Sequence, residues 1–261
     1  MRSVDAVERF AELVTARGGV RLDEAALAIA GGAAPDLDPA HWLRELDRLA
    51  QGIDSLDALL HRLFVEERFA GNTGRYNDPR NSLLNEVLAR RLGIPITLSV
   101  VCIEVGRRAG VALEGVGMPG HFLVRPYGSQ QYVDAFAGGQ LLDLAGCEAR
   151  FRDSTGSGPD VPFGPHLLTT TPTPAILARI LQNLRIVYRN AGRSSDLEWV
   201  LRMRLKLPGV GPAEFVEVGQ AMAQQGRWLD AARFLESQVD TWPQHAELLD
   251  RSARSLRAHL N

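Results

Sequence analysis

The sequence predicts an α+β protein in three stretches: helices over residues 1–70, a mixed core over 71–160 and a helical region over 166–261. Three observations carry that reading. Apolar residues recur at three- and four-residue steps at both ends of the chain, and β-branched and aromatic residues gather between Leu113 and Phe136. A Gly/Ser/Pro-rich stretch from Asp153 to Pro165 then separates that cluster from the last helical region. At 261 residues the chain exceeds the roughly 150 taken as one domain, so one large or two modest domains fit.

In the first stretch Leu43, Leu46 and Leu49, then Leu56, Leu59, Leu60 and Leu63, mark helix faces, and Gly31 to Pro39 reads as a break between helices. Turn-forming residues fill Gly71 to Asp78. Asp78-Pro79 next reads as a helix start, an N-cap acid followed by proline at the first position. Leu83, Leu84, Val87, Leu88 and Leu92 form the apolar face, and Gly93 with Pro95 is expected to end it, glycine as a left-handed cap. A second helix, roughly Leu98 to Arg108, is apolar nearly all round, which predicts burial between layers, and Gly110 closes it. Leu113–Val116, His121–Tyr127 and Gln131–Phe136 read as strands, with Gly128-Ser129 as a hairpin turn.

In the last stretch Pro212, Phe215, Val218, Gly219, Ala231, Leu235 and Pro243 fall on the large, apolar, small and proline positions of a tetratricopeptide unit of roughly 34 residues. Ile180, Leu184, Val200 and Pro208 suggest a degenerate earlier copy. An array this short cannot bury its own faces, so the tail is expected to dock on the core.

Composition narrows the function. A net charge of −2 disfavours nucleic acid as the main partner, because phosphate neutralisation calls for a basic excess. No apolar run approaches the ~20 residues that cross a bilayer, and Met1 to Phe10 carries charges where a signal peptide is apolar, so a cytoplasmic protein without a membrane partner is expected. Cys102 and Cys147 lack C-x-x-C spacing and read as free thiols, Cys102 in the core and Cys147 on the surface or a loop. His41, His61, His121, His166, His245 and His259 show no ligand spacing, and no phosphate-binding motif appears. No metal or other cofactor is therefore implied.

The candidate chemistry lies in the strands. With a two-residue loop Tyr127 faces Gln130 and Leu123 faces Asp134, which makes His121 and Asp134 diagonal neighbours on one face, about 7–8 Å apart. A carboxylate there can orient an imidazole and stabilise its charged form. A nucleophile would belong at a helix N-terminus, where unpaired N–H groups lower a thiol pKa and stabilise an oxyanion. The turn after Asp78 offers Asn81 and Ser82, with Arg80 and Asn85 beside them as candidate binding residues, and no cysteine. The plainer alternatives are a buried structural histidine, a first-turn helix serine and a solvated arginine face.

The runs Asn77-Asp-Pro-Arg-Asn-Ser-Leu-Leu-Asn85, Arg90-Arg-Leu-Gly-Ile-Pro-Ile-Thr-Leu-Ser99, Gly115-Val-Gly-Met-Pro-Gly-His-Phe-Leu-Val-Arg125 and Val133-Asp-Ala-Phe-Ala-Gly-Gly139 together resemble the bacterial SirB-type family of transglutaminase-like, tetratricopeptide proteins. Pro35-Asp-Leu-Asp38 and Phe69-Ala-Gly-Asn72 extend the likeness upstream. The resemblance implies a papain-like core in which a helix-borne cysteine precedes histidine and aspartate on neighbouring strands. His121 and Asp134 match the last two roles, while Asn81 or Ser82 occupies the neighbourhood of the first. Asn77 stands where the family tends to carry an aromatic residue, and Ala135 where it tends to carry proline. The expected function is a non-catalytic interaction or regulatory protein that binds a protein or peptide. The alternative is an acyl-transfer or amide-hydrolysing enzyme in which Ser82 attacks, His121 is the base and Asp134 orients it.

Overall fold

A computed structural model describes residues 3–259; Met1, Arg2, Leu260 and Asn261 lie outside the described residues. Three helices open the chain: α1 (Ser3–Val14), α2 (Leu22–Ala33) and α3 (Pro39–Ala50). Asp38 caps α3 by accepting the Ala40 N–H, and proline at its first position costs no intrahelical bond. Gly31 and Gly32 do not break a helix; they complete α2. A Cβ on Gly32 would stand 2.5 Å from the Trp199 ring, so the small residue serves a close approach of two elements. A short helix α4 (Leu56–Leu60) runs on into a π-helical turn, His61–Glu66.

The core begins at β1 (Ala70–Gly71), which pairs in parallel with β2 (Leu92–Gly93). Between them lie a 3₁₀ turn, Pro79–Ser82, and α5 (Leu84–Arg90). The left-handed cap of α5 is Arg91, at φ 60°, rather than Gly93. Arg91 holds this conformation while its guanidinium pairs with Glu45 at 2.7 Å and Glu67 at 2.8 Å, and Gly93 is drawn into the strand bridge with Gly71. Pro95 does not stop a helix but starts one, because its fixed φ suits the first helical position. The helix it opens, α6 (Pro95–Ala109), is buried through most of its length and ends at left-handed Gly110.

Four antiparallel strands come next in sequence order: β3 (Leu113–Val116), β4 (Leu123–Pro126), β5 (Tyr132–Asp134) and β6 (Gln140–Leu142), the last not evident from the sequence. Val124 faces Val133, in the register that strand parity predicts. The tight turn sits one residue earlier than Gly128-Ser129: the Ser129 N–H donates to the Pro126 carbonyl across Tyr127 and Gly128, with Gly128 at φ 74°. Alternation sends Val124 and Val133 into the main core. Leu123, Tyr132 and Leu142 join a second, smaller cluster with Cys147 and Phe151 of α7 (Leu144–Thr155). Cys147 is thus buried rather than superficial, and part of the expected linker is helix.

The C-terminal helices are α8 (Thr173–Asn190), α9 (Ser194–Arg204), α10 (Pro212–Ala223), α11 (Trp228–Glu236) and α12 (Ala246–Ala258). Leu184, Val200 and Phe215 are buried in the same hydrophobic cluster as Phe10, Ile29 and Val101. The tail therefore shares its core with the N-terminal helices and α6. Among the described residues no helix is long and apolar enough to cross a membrane.

Candidate functional site

His121 is delivered by a tight turn. Its N–H donates to the Met118 carbonyl, and Gly120 takes φ 73°, which a β-carbon disfavours. The residue is 5% exposed, and Nε2 lies 2.9 Å from Asp134 Oδ1. Asp134 is wholly buried, and the same oxygen also accepts the Phe136 and Ala137 N–H groups, both at 3.1 Å. Arg150 Nε on α7 lies 2.8 Å from Oδ2, a charge contact outside hydrogen-bond alignment. Burial pushes the Asp134 carboxyl up, but the hydrogen bond and charge of His121, the charge of Arg150 and the Ala137 N–H outweigh it and hold the group below its ordinary value. An ionised carboxylate accepts only, so Nε2 carries the proton and the tautomer is settled. Nδ1 has no hydrogen-bond partner among the described residues.

A cleft of about 190 Å³ opens beside His121, walled by Tyr76, the Ile94-Pro95-Ile96 turn, Phe122, Arg179 and Asn183. The helix N-terminus at this cleft is that of α6, not the turn at Asn81-Ser82. Its wall offers no Ser, Thr or Cys side chain. Thr97, the nearest hydroxyl in the α6 sequence, is buried and engaged: Oγ1 donates to the Asn81 carbonyl at 2.6 Å and accepts the Ile94 N–H at 3.1 Å. Arg179 reaches in from α8. Its Nη2 donates to the His121 carbonyl at 2.7 Å and the Met118 carbonyl at 3.1 Å, and its guanidinium lies over the Phe122 ring.

The structure brings His121 and Asp134 together and leaves the other candidates outside the cleft wall. Ser82 is buried at the end of its 3₁₀ turn, and no hydrogen bond joins it to His121 among the described residues. Asn81, with no exposed surface, is an internal clasp: Oδ1 accepts from Asn72 and Arg90, and Nδ2 donates to the Arg75 and Tyr76 carbonyls. Arg80 is exposed and pairs with Asp78 at 2.7 Å. Asn85 is buried with Oδ1 unpartnered. Neither thiol lines the cleft: burial pushes Cys102 to about 12, and burial with the charges of Asp143 and Asp134 pushes Cys147 to about 11. Among the described residues no group of three His, Cys, Asp or Glu side chains could hold a metal ion. Sequence reasoning missed the α6 start, which proline at a first helical position could have signalled, and Arg179, which lies 58 positions from His121.

A buried helix whose N-terminus faces a histidine, itself held by an aspartate on the neighbouring strand, describes a transglutaminase-like core. The chain belongs to the transglutaminase-like superfamily, whose family profile matches residues 21–182. Within it the chain falls with the UPF0162 proteins: it is 35% identical over 255 residues to one from Xylella fastidiosa (strain Temecula1), covering 90% of this chain and 91% of that protein. A UPF0162 protein of Pseudomonas aeruginosa is 34% identical over 183 residues, 66% of each chain. The F-box only protein 21 of Mus musculus is 37% identical over 103 residues, 36% of this chain and 16% of that protein. No solved structure matches the chain at a significant level.

Proposed function

We propose that the protein is a non-catalytic interaction protein that binds a protein or peptide segment at the cleft beside His121. The supporting observation is the chemistry of the α6 N-terminus. Where a nucleophile would face Nδ1, the cleft presents Ile94, Pro95 and Ile96. Acyl transfer through a covalent intermediate needs a thiol or hydroxyl in hydrogen-bond reach of the base, and among the described residues the alternative that assigns this to Ser82 has no hydrogen bond to His121 to rest on. The mixed apolar and polar wall suits a short peptide segment. The C-terminal helices, read as a degenerate tetratricopeptide array of the SirB type, offer a second surface for the same partner. This reading is tested by incubating the purified chain with glutamine-containing peptides and a primary amine, following ammonia release and amine incorporation. Neither is expected above buffer; turnover abolished by His121→Ala would contradict the proposal.

A further inference from the structure

The cleft carries an electrostatic signature that peptide binding alone does not require. Of three features there, two are positive or donate protons and one is an unpartnered imidazole nitrogen, and no carboxylate lines the cleft among the described residues. The first is the start of the 15-residue helix α6. The Ile96 and Thr97 N–H groups have no intrahelical acceptor, the capping residue is isoleucine and offers none, and the helix dipole favours negative charge at this end. The second is His121, 5% exposed, whose Nδ1 is unpartnered in the wall of the cleft. The third is Arg179. A half-buried guanidinium ordinarily has a carboxylate partner, yet this one has only the Met118 and His121 carbonyls, and no ion pair among the described residues.

We propose that this cleft is a carboxylate-binding site, taking the free C-terminus or an acidic side chain of a peptide against the α6 N-terminus, His121 and Arg179. The inference rests on the non-catalytic reading and names the ligand chemistry of that site. A carboxylate on a carbon chain suits the cleft better than an inorganic phosphate, because apolar side chains stand beside the donors. Both bidentate forks of a guanidinium include Nη2, and here Nη2 is taken by two carbonyls, so Arg179 contributes charge and single N–H groups. The volume, about 190 Å³, admits one small group, and Ile94, Ile96 and Phe122 supply apolar walls for the carbon chain behind it. Asp134 holds the Nε2 proton, so a carboxyl group that meets Nδ1 shares one proton with it. The charged or titratable groups around the ring are Asp134 with Arg150 behind it, Tyr76 on the rim and Arg179 on α8.

The test is an NMR titration of the full chain with four probes: N-acetyl-Ala-Leu, its C-terminal amide, N-acetylglutamate α-amide as a side-chain carboxylate, and inorganic phosphate. Saturable shifts at the Ile96 and Thr97 amides and the His121 ring are expected with a carboxylate probe, and the stronger of the two identifies the source. The amide and phosphate should bind about tenfold or more weakly, as loss of a charge-assisted contact implies. Arg179→Gln should weaken binding by a similar factor. Equal affinity for acid and amide, preference for phosphate, or no shift at those amides with either carboxylate would overturn the inference. The acid–amide comparison uses the native chain, so it stands even if Arg179→Gln unsettles the His121 turn. Mass spectra of the recovered probes keep the two proposals apart: deamidation or cleavage of a probe would sink the non-catalytic reading, whatever the order of affinities.

Discussion

At Asp134 four interactions converge on one buried carboxylate: the His121 imidazole, two backbone N–H groups and the Arg150 guanidinium. Removing it leaves a buried imidazole N–H and two backbone N–H groups without acceptors. Asp134→Ala should therefore lose about 3–5 kcal/mol in urea unfolding at pH 7. The folded carboxyl lies below its ordinary value, so this contribution is complete above the unfolded pKa of about 3.9 and is lost as pH falls through the lower folded one. The gap between native and variant proteins should narrow over that acidic window; a gap that widened there would contradict the assignment. The pairing of His121 with Asp134 was legible in the sequence because strand parity is a local property. Arg150 and Arg179 were not, since each arrives on a helix whose docking no local pattern specifies.

Among the elements, β1 and β2 are short enough to be overlooked, yet β1 packs on the aromatic ring that meets His121. Gly71 lies against Phe136: a Cβ there would stand 2.6 Å from the ring and 2.7 Å from the Phe136 carbonyl. Phe136 in turn meets the His121 ring edge-on at 6.1 Å and Tyr76 at 6.0 Å. Gly71→Ala should therefore cost roughly 1–3 kcal/mol by overpacking and shift the His121 ring resonances. An unchanged melting temperature and unchanged His121 shifts would show that this contact is not tight. The helical ends of the chain and the β4–β5 hairpin were readable from the sequence pattern, while β6 and the helix ends were not. Gly93 and Pro95 carry ordinary stop signals, but the first is captured by a strand bridge and the second opens α6. Two proline-led turns, at Pro79 and Pro95, lie close in sequence, and only the packing shows that the second one lines the cleft beside His121.

Across the whole molecule, the family profile ends at residue 182, inside α8, although the shared hydrophobic core continues to Leu256. Trp199 joins the two parts, its ring against Gly32 of α2 and edge-on to Tyr188 at 6.1 Å. Trp199→Ala should cost roughly 3–5 kcal/mol, and fluorescence and circular dichroism should report one shared unfolding transition. A separate transition for the C-terminal helices would contradict a common core. The transglutaminase-like scaffold, on this reading, holds a histidine and an aspartate without a nucleophile in their reach. Its sharpest test is intact-mass labelling with serine- and thiol-directed activity probes at pH 7, with Ser82→Ala and His121→Ala beside the native chain. No adduct is expected on the folded protein, both thiols being buried; rapid labelling that disappears with His121→Ala or Ser82→Ala would contradict it.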